Sequence, residues 1–399
     1  MAGIRIAILA DDLTGACDSA APFASQALKS WVFWQIEEAS ATDAELVSAC
    51  SNTRRDNEML AAEKTRQMAE HVSQCGASRL FKKIDSTLIG NWAFEVPAIV
   101  NALRVKAAIV APAFPAMGRR MIDGRLQLVG VSRSTSLLET LQSRCSMANY
   151  HVPLSELRKG PDNLAKLVEH QDKPTILVAD SEIDSDLDIV AAAVEILGES
   201  VLPVGSAGLA TAIARQIKSR PQHSAAVSER SPVTPPPIRQ SGGTLIFVGS
   251  QNRRTMAQVN YLSQVKAVHQ ADIFDDSSLS IAEQLRRGIN IVAYLRWDVS
   301  PANAILRFLE NCERNAMKFV LTGGDTAQLV CGCCRARGIW IDGEIAPGLP
   351  HGRLCGGPFE GTHIATKAGG FGDREALDNI VSFLDVLPVV ETDSPTTAT

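Results

Sequence analysis

The sequence predicts an α/β protein made of two α/β domains with mainly parallel sheets. Short apolar runs without polar alternation recur along the chain, beginning at Ile6 to Leu9, and a strand buried on both faces of a parallel sheet reads in this way. Segments of helical periodicity lie between these runs, and strands alternating with helices imply crossover units. A polar stretch from Lys218 to Gly243, with TPPP at Thr234 to Pro237, interrupts the chain. It cannot bury enough apolar surface to fold alone and is semi-stiff, so it marks the domain boundary. The expected division is residues 1–217, a linker at 218–243 and residues 244–390.

The elements follow in order. Ile4 to Ala16 reads IRIAILADDLTGA, a central strand that ends in two adjacent acids. In an open α/β sheet the carboxyl ends of the strands face the ligand crevice, so Asp11 and Asp12 are candidates for catalysis or substrate binding. One of them could instead cap the next helix, with Thr14 and Asp18 as rivals, but a cap needs one carboxylate and not two. Residues 31–36 and 107–111 read as further strands, with a helix between them that carries Ala61, Thr65, Met68 and Val72 on one face. Thr175 to Asp180 is another strand ending in an acid, and Val201 to Val204 leads through Gly205 and Gly208 into a helix. Beyond the linker, Thr244 to Val248, Ile291 to Leu295 and Phe319 to Leu321 are strands, and a helix is expected to start near Thr326. The tail from Glu391 to Thr399 is polar and expected to fray.

Composition narrows the function. A chain of 399 residues exceeds what one core usually serves, and 45% hydrophobic with 21% charged residues is ordinary for a soluble globular protein. A formal net charge of -5 offers no basic footprint for nucleic acid. No apolar run approaches the roughly 18 residues of a membrane helix, and no signal peptide is visible, so the expected location is the cytoplasm. The nine cysteines read as reduced, mostly buried thiols; CGCC at Cys331 lacks a second ligand pair at zinc spacing.

Two groups of motifs carry chemistry. In the first half, Arg54 and Arg55 follow a strand end, and Lys82, Lys83, Asp85 and Ser86 form the densest polar cluster. A strand would turn Lys83 and Asp85 to one face and Lys82 to the other, so that a cation, a carboxylate and a hydroxyl converge. In the second half, glycine turns close the strands at Gly249-Ser250, at Gly323-Gly324-Asp325-Thr326 and, after Lys367, at Gly369-Gly370. Such turns let backbone donors reach phosphate oxygens, although neither a P-loop nor G-x-G-x-x-G is present. Asp325 could instead cap its helix.

The chain also resembles the four-carbon acid sugar kinases, which phosphorylate tetronates such as threonate, erythronate and their 3-oxo relatives with ATP. The motifs that carry the resemblance are ADDLTGA, SNTRRD at Ser51, KKIDSTLIGN at Lys82, APAFPAMGRR at Ala111, VGSAGLA at Val204, VGSQN at Val248, TGGDTA at Thr322 and TKAGGFG at Thr366, which span nearly the whole chain. The resemblance implies that the first domain binds the tetronate through Asp11 or Asp12, Arg54, Lys83, Asp85 and Ser86. It implies Ser250, Gly323, Gly324, Asp325, Thr326, Gly369 and Gly370 as ATP contacts. The family commonly has Asp-Ser-Thr-Leu-Arg-Gly-Asn where this chain has Ile89 in the Arg position, and Arg119 and Arg120 are candidate replacements for that cation. The reading is an ATP- and Mg2+-dependent kinase acting on a hydroxyl, the primary alcohol in the first instance, across a cleft between the domains. Asp12, with Asp11 second, is the carboxylate that orients or deprotonates the acceptor. No metal ligands are assigned, and a homo-oligomer is admitted. Two alternatives stand beside it: a phosphatase with an Asp nucleophile, which lacks the usual acid two residues on, and a two-domain sensor of small acids, which leaves the glycine turns idle.

Overall fold

The computed structural model describes residues 5–39, 43–131, 134–218, 242–274, 278–312 and 317–387. The expected linker lies outside them except at its two ends, and the tail lies wholly outside. The chain divides into two compact units, Met1–Ser219 with Ile341–Gly348, and Arg220–Trp340 with Leu349–Thr399.

The first unit holds β1 (Ile6–Ala10), β2 (Ser30–Phe33), β3 (Leu46–Cys50), β4 (Leu80–Lys83), β5 (Ala107–Ala111), β6 (Arg119–Ile122), β7 (Arg125–Leu128), β8 (Thr135–Ser136), β9 (Ala148–Val152), β10 (Thr175–Ala179) and β11 (Val201–Gly205). Eight of these run side by side as β2-β3-β1-β4-β11-β5-β10-β9, and every pair among them is parallel. β6, β7 and β8 form a small antiparallel sheet. β1 is buried at every position, as its unalternating sequence requires. The helix Glu58–Gln74 buries Ala61, Thr65, Met68, Ala69 and Val72, the face expected from spacing. Register decides where the site falls. Ala10 pairs with Cys50, Leu9 with Lys82, and Gly205 with Lys83, so β1, β3, β4 and β11 end side by side. The segments that follow these strands therefore gather at one edge.

One strand is shorter than its apolar run suggested. β2 stops at Phe33, opposite Ala49 one residue before β3 ends, and Ile36–Ala39 turns into a 3-10 helix. Trp34 and Gln35 form the bend between the two.

The second unit contains β12 (Thr244–Val248), β13 (Val268–Ala271), β14 (Asn290–Tyr294), β15 (Lys318–Thr322), β16 (Gly338–Ala346), β17 (Leu349–Cys355) and β18 (His363–Lys367), the last residues of β16 counting with the first unit. The order β13-β14-β12-β15-β18 is parallel throughout, and β17 joins β18 antiparallel. The helix expected near Thr326 begins two residues earlier, at Gly324. Its cap, Gly323, has φ +96°, a value that strains any residue with a Cβ, so the turn ends there. All nine cysteines are free thiols. His351 and His363 lie on β17 and β18, with the His351 ring against Phe383 at 4.6 Å.

Candidate functional site

In the first unit, the carboxyl ends of β1, β3 and β4 bring together Asp11, Asp12, Arg54, Lys83, Asp85 and Ser86. The Arg54 guanidinium is the hub. Its Nε and Nη2 donate to Asp11 Oδ2 and Oδ1 at 2.8 Å each, a bidentate pair. Nη1 and Nη2 also donate to Asp12 Oδ2 and Oδ1 at 2.9 and 3.1 Å, and Nη2 lies 3.6 Å from Asp85 Oδ2. Three carboxylates therefore share one cation.

Asp12 is both a site residue and a helix cap. Its Oδ1 accepts from the Gly15 N–H at 2.9 Å and its Oδ2 from Thr14 Oγ1 at 2.7 Å, which closes the first turn of the helix Leu13–Ala24. With the two bonds from Arg54, all four lone-pair positions of its carboxylate are used. Gly15 is required here, since a Cβ would lie 2.6 Å from Asp12 Oδ1 and 2.9 Å from Lys83 Nζ. Gly90 is required for a similar reason, because its φ is +106° and a Cβ would lie 2.7 Å from Asp11 Oδ2.

Electrostatics separates the acids. Burial disfavours the Asp11 carboxylate, but the paired guanidinium outweighs it, and the Asp11 pKa falls below its ordinary value. Asp12 goes up: burial dominates, Arg54 offsets it in part, and the neighbouring Asp11 charge adds to it. Asp18, buried behind them, rises to about 6, chiefly through burial, with Lys83 opposing. Its Oδ1 lies 3.5 Å from Lys83 Nζ and accepts from Ser19 Oγ.

Lys82 and Lys83 part as alternate strand positions must. Lys83 faces Asp18 and the Asp12 helix, whereas Lys82 points to the other side and lies 2.8 Å from Glu95 Oε2. That contact is off the line of a hydrogen bond, so it is an ion pair, and both partners are buried. Glu95 also accepts from Thr53 and Thr65. Asp85 has a different environment. Its Oδ1 accepts from the Thr87 backbone and hydroxyl, while Oδ2 has only the 3.6 Å approach of Arg54 among the described residues. With 20% of its side chain exposed, against 4% for Asp11 and 10% for Asp12, it is the most open of the three. Of the two arginines named as replacements for the missing cation, Arg119 is buried and donates to Ser86 Oγ, whereas Arg120 is exposed and pairs with Glu182. Ile89 is itself 61% exposed.

In the second unit, three glycine turns converge. A Cβ on Gly323 would lie 3.6 Å from Ser250 Cβ and 3.7 Å from Thr326 Oγ1; one on Gly369 would collide with Ser250 Oγ and lie 3.4 Å from Asn252 Cβ. Ser250, Gly323, Thr326 and Gly369 thus occupy one patch, with Gly324 and Asp325 on the first turn of the helix Gly324–Cys333 and Gly370 next along the loop. Sequence reasoning missed the groups that hold this patch. Thr255 Oγ1 donates to Gly369 O at 2.9 Å, and Gln258 Nε2 to Phe371 O at 3.0 Å and Asp373 O at 2.6 Å. Trp297 Nε1 donates to Gly249 O at 2.8 Å, with the indole partly exposed. Thr255 and Gln258 share the buried face of their helix with Val259 and Leu262, and their sequence context gives no signal of this duty. Among the described residues no cluster of three His, Cys, Asp or Glu side chains is placed to hold a metal, and no helix is long and apolar enough to cross a membrane.

A parallel sheet with acids and cations at its carboxyl edge, joined in one chain to a unit of convergent glycine turns, defines the class of a two-part phosphotransferase. Comparison with known proteins agrees. Residues 6–213 match a family described as a sugar-binding N-terminal domain, and residues 299–377 one described as a nucleotide-binding C-terminal domain. The chain is 29% identical over 403 residues to D-threonate kinase of Bordetella bronchiseptica, covering 94% of this chain and 96% of the relative. It is 25% identical to D-erythronate kinase of Heliobacterium modesticaldum (95% and 97% covered) and 24% identical to 3-oxo-tetronate kinase of Pectobacterium atrosepticum (93% and 97%). A solved chain from Salmonella typhimurium LT2 shares the fold at TM-score 0.75 and 19% identity, covering 94% of this chain and 98% of that one. The chain belongs to the four-carbon acid sugar kinase family and is an enzyme of the phosphotransferase class.

Proposed function

We propose that the enzyme transfers the terminal phosphoryl group of ATP to the 4-OH of a four-carbon acid sugar of the threonate, erythronate or 3-oxo-tetronate type. Residues 1–217 bind the acid sugar, residues 244–390 bind the nucleotide, and residues 218–243 tether them. The observation that carries this reading is the cluster at the end of β1, where three carboxylates gather on Arg54 beside Lys83 and Arg119. Phosphoryl transfer to an alcohol needs a carboxylate at the hydroxyl and cations for the anionic acceptor, and the cluster supplies both.

Arg54, Lys83, Asp85 and Ser86 are the acid-sugar contacts in this proposal, and Arg119 joins them through Ser86. Four of the Arg54 hydrogen bonds already go to Asp11 and Asp12, so its first effect is to hold those carboxylates in register. Asp12 is the orienting carboxylate, exchanging one of its four hydrogen bonds for the acceptor hydroxyl; its raised pKa brings it nearer the range in which a base works, and Asp11 is held ionised beside it. The open Oδ2 of Asp85 favours a second reading, in which Asp85 takes the hydroxyl proton and Asp12 only holds the helix and Arg54 in place. Ser250, Gly323, Gly324, Asp325, Thr326, Gly369 and Gly370 form the ATP site. Mg2+ keeps most of its waters and binds through phosphates with one or two carboxylates, so a dense protein cluster is not required. Exposed Asp325, on the first turn of its helix, is the candidate ligand.

A panel of four-carbon acids with ATP and Mg2+, read by ADP release, tests the reaction, and silence with every acid would refute it. Asn variants of Asp11, Asp12 and Asp85 assign the base. Loss of nearly all turnover with ATP binding kept is expected of Asp12→Asn, and the same result confined to Asp85→Asn would move the role there.

A further inference from the structure

Lys367 ends β18, and its side chain is fully buried beneath the third glycine turn. Its Nζ lies 3.1 Å from Ala368 O, 3.5 Å from Gly369 O, 3.4 Å from Phe371 O and 3.3 Å from Thr255 Oγ1. No carboxylate forms an ion pair with it among the described residues; burial, with the neighbouring charge of Arg254 adding to it, lowers the Lys367 pKa to about 7. A buried cation held only by carbonyls and a hydroxyl is expensive unless it serves something.

The geometry of the peptide unit says what it serves. In a trans peptide the C=O and the following N–H point in opposite directions across one plane. The carbonyls of Ala368, Gly369 and Phe371 are drawn inward to Lys367, with Thr255 and Gln258 assisting. The N–H groups of Gly369, Gly370 and Gly372 must then point outward. None of the three has a hydrogen-bond partner among the described residues. Gly369 lies beside Ser250, whose Oγ a Gly369 Cβ would strike. The Lys367 backbone reaches a second turn as well, since its carbonyl accepts from the Gly323 N–H at 2.7 Å. One residue thus fixes two glycine turns at once.

We propose that Lys367 is the positioning residue of the phosphate site, its ammonium holding three carbonyls inward so that the Gly369, Gly370 and Gly372 N–H groups face the polyphosphate of ATP. The proposal rests on the second unit being the ATP site. Outward N–H groups in succession form an anion-binding concavity, and the buried charge beneath, which no carboxylate pairs with among the described residues, adds a positive field.

The test compares the full-length chain with Lys367→Met by calorimetry against ATP, ADP, AMP and adenosine with Mg2+ present. Affinity for ATP and ADP falls at least tenfold, while adenosine and AMP change less than threefold and the acid-sugar KM is unchanged. In the unaltered chain at pH 8, ATP binding takes up a proton, because a bound polyphosphate favours the charged lysine; the uptake, read from buffers of different ionisation enthalpy, disappears in the variant. Should Lys367→Met fail to fold, Thr255→Val and Gln258→Leu carry the test, each lowering ATP affinity severalfold with adenosine unaffected. Equal losses across all four ligands, or none for ATP, would overturn the role of Lys367. Failure of the unaltered chain to bind ATP would overturn the nucleotide-site reading as well.

Discussion

Asp18→Asn should remove a pH dependence that the first unit carries in its core. The Asp18 pKa rises from 3.8 to about 6 because burial outweighs the attraction of Lys83, with the charges of Asp12 and Asp85 adding to the rise. An acid that holds its proton more tightly when folded stabilises the fold fully below its unfolded pKa, and that contribution is lost as pH climbs through the folded value. Between pH 4.5 and 8 the shift corresponds to about 2 kcal/mol of stability lost from this one group. Asparagine cannot titrate, so the stability of Asp18→Asn relative to the unaltered chain should move in the variant's favour by about that amount across this range. The change with pH is the informative quantity, because a hydrogen bond lost equally at both pH values cancels. Urea unfolding followed by tryptophan emission serves as the assay, since Trp31, Trp34 and Trp92 belong to the first unit. A difference that stays constant within about 0.5 kcal/mol from pH 4.5 to 8 would show that Asp18 titrates normally, and the account of the cluster's electrostatics would fail.

Two further outcomes test the scaffold around the site. Lys82→Met leaves the Glu95 carboxylate buried without its cation and should cost about 3–5 kcal/mol, most of it recovered in Lys82→Met with Glu95→Leu; chemical denaturation measures both, and an unpenalised single variant would contradict the ion pair. Gly90→Ala puts a methyl against Asp11 Oδ2 at a strained φ and should cut kcat/KM at least tenfold for about 1–3 kcal/mol of stability, which steady-state kinetics alongside thermal melting can check.

The sequence conveyed the site unevenly, for physical reasons. Asp11 and Asp12 were legible because a strand buried on both faces has an unmistakable pattern and its end is fixed by the first polar residues. The opposite facing of Lys82 and Lys83 followed from strand alternation alone. That Asp12 caps its helix and also meets Arg54 was not legible, since the two duties had been set against each other as alternatives. Arg119 and Arg120 looked equivalent in sequence; the turn of β6 makes one buried and the other exposed. Thr255 and Gln258 went unnoticed because polar residues on an otherwise ordinary helix announce nothing until the loop they hold is known.

By itself the chain determined its class, many of its parallel strands, the acids at the end of the first strand and the places where glycine turns close strands, because each is written in local pattern and spacing. Tertiary structure decided which charges meet: Arg54 with Asp11, Asp12 and Asp85 across more than forty positions of chain for the first two, and Lys367 with the carbonyls of the loop that follows it. The register of parallel strands sets those meetings, and ionisation depends on burial and neighbours, which no single segment contains.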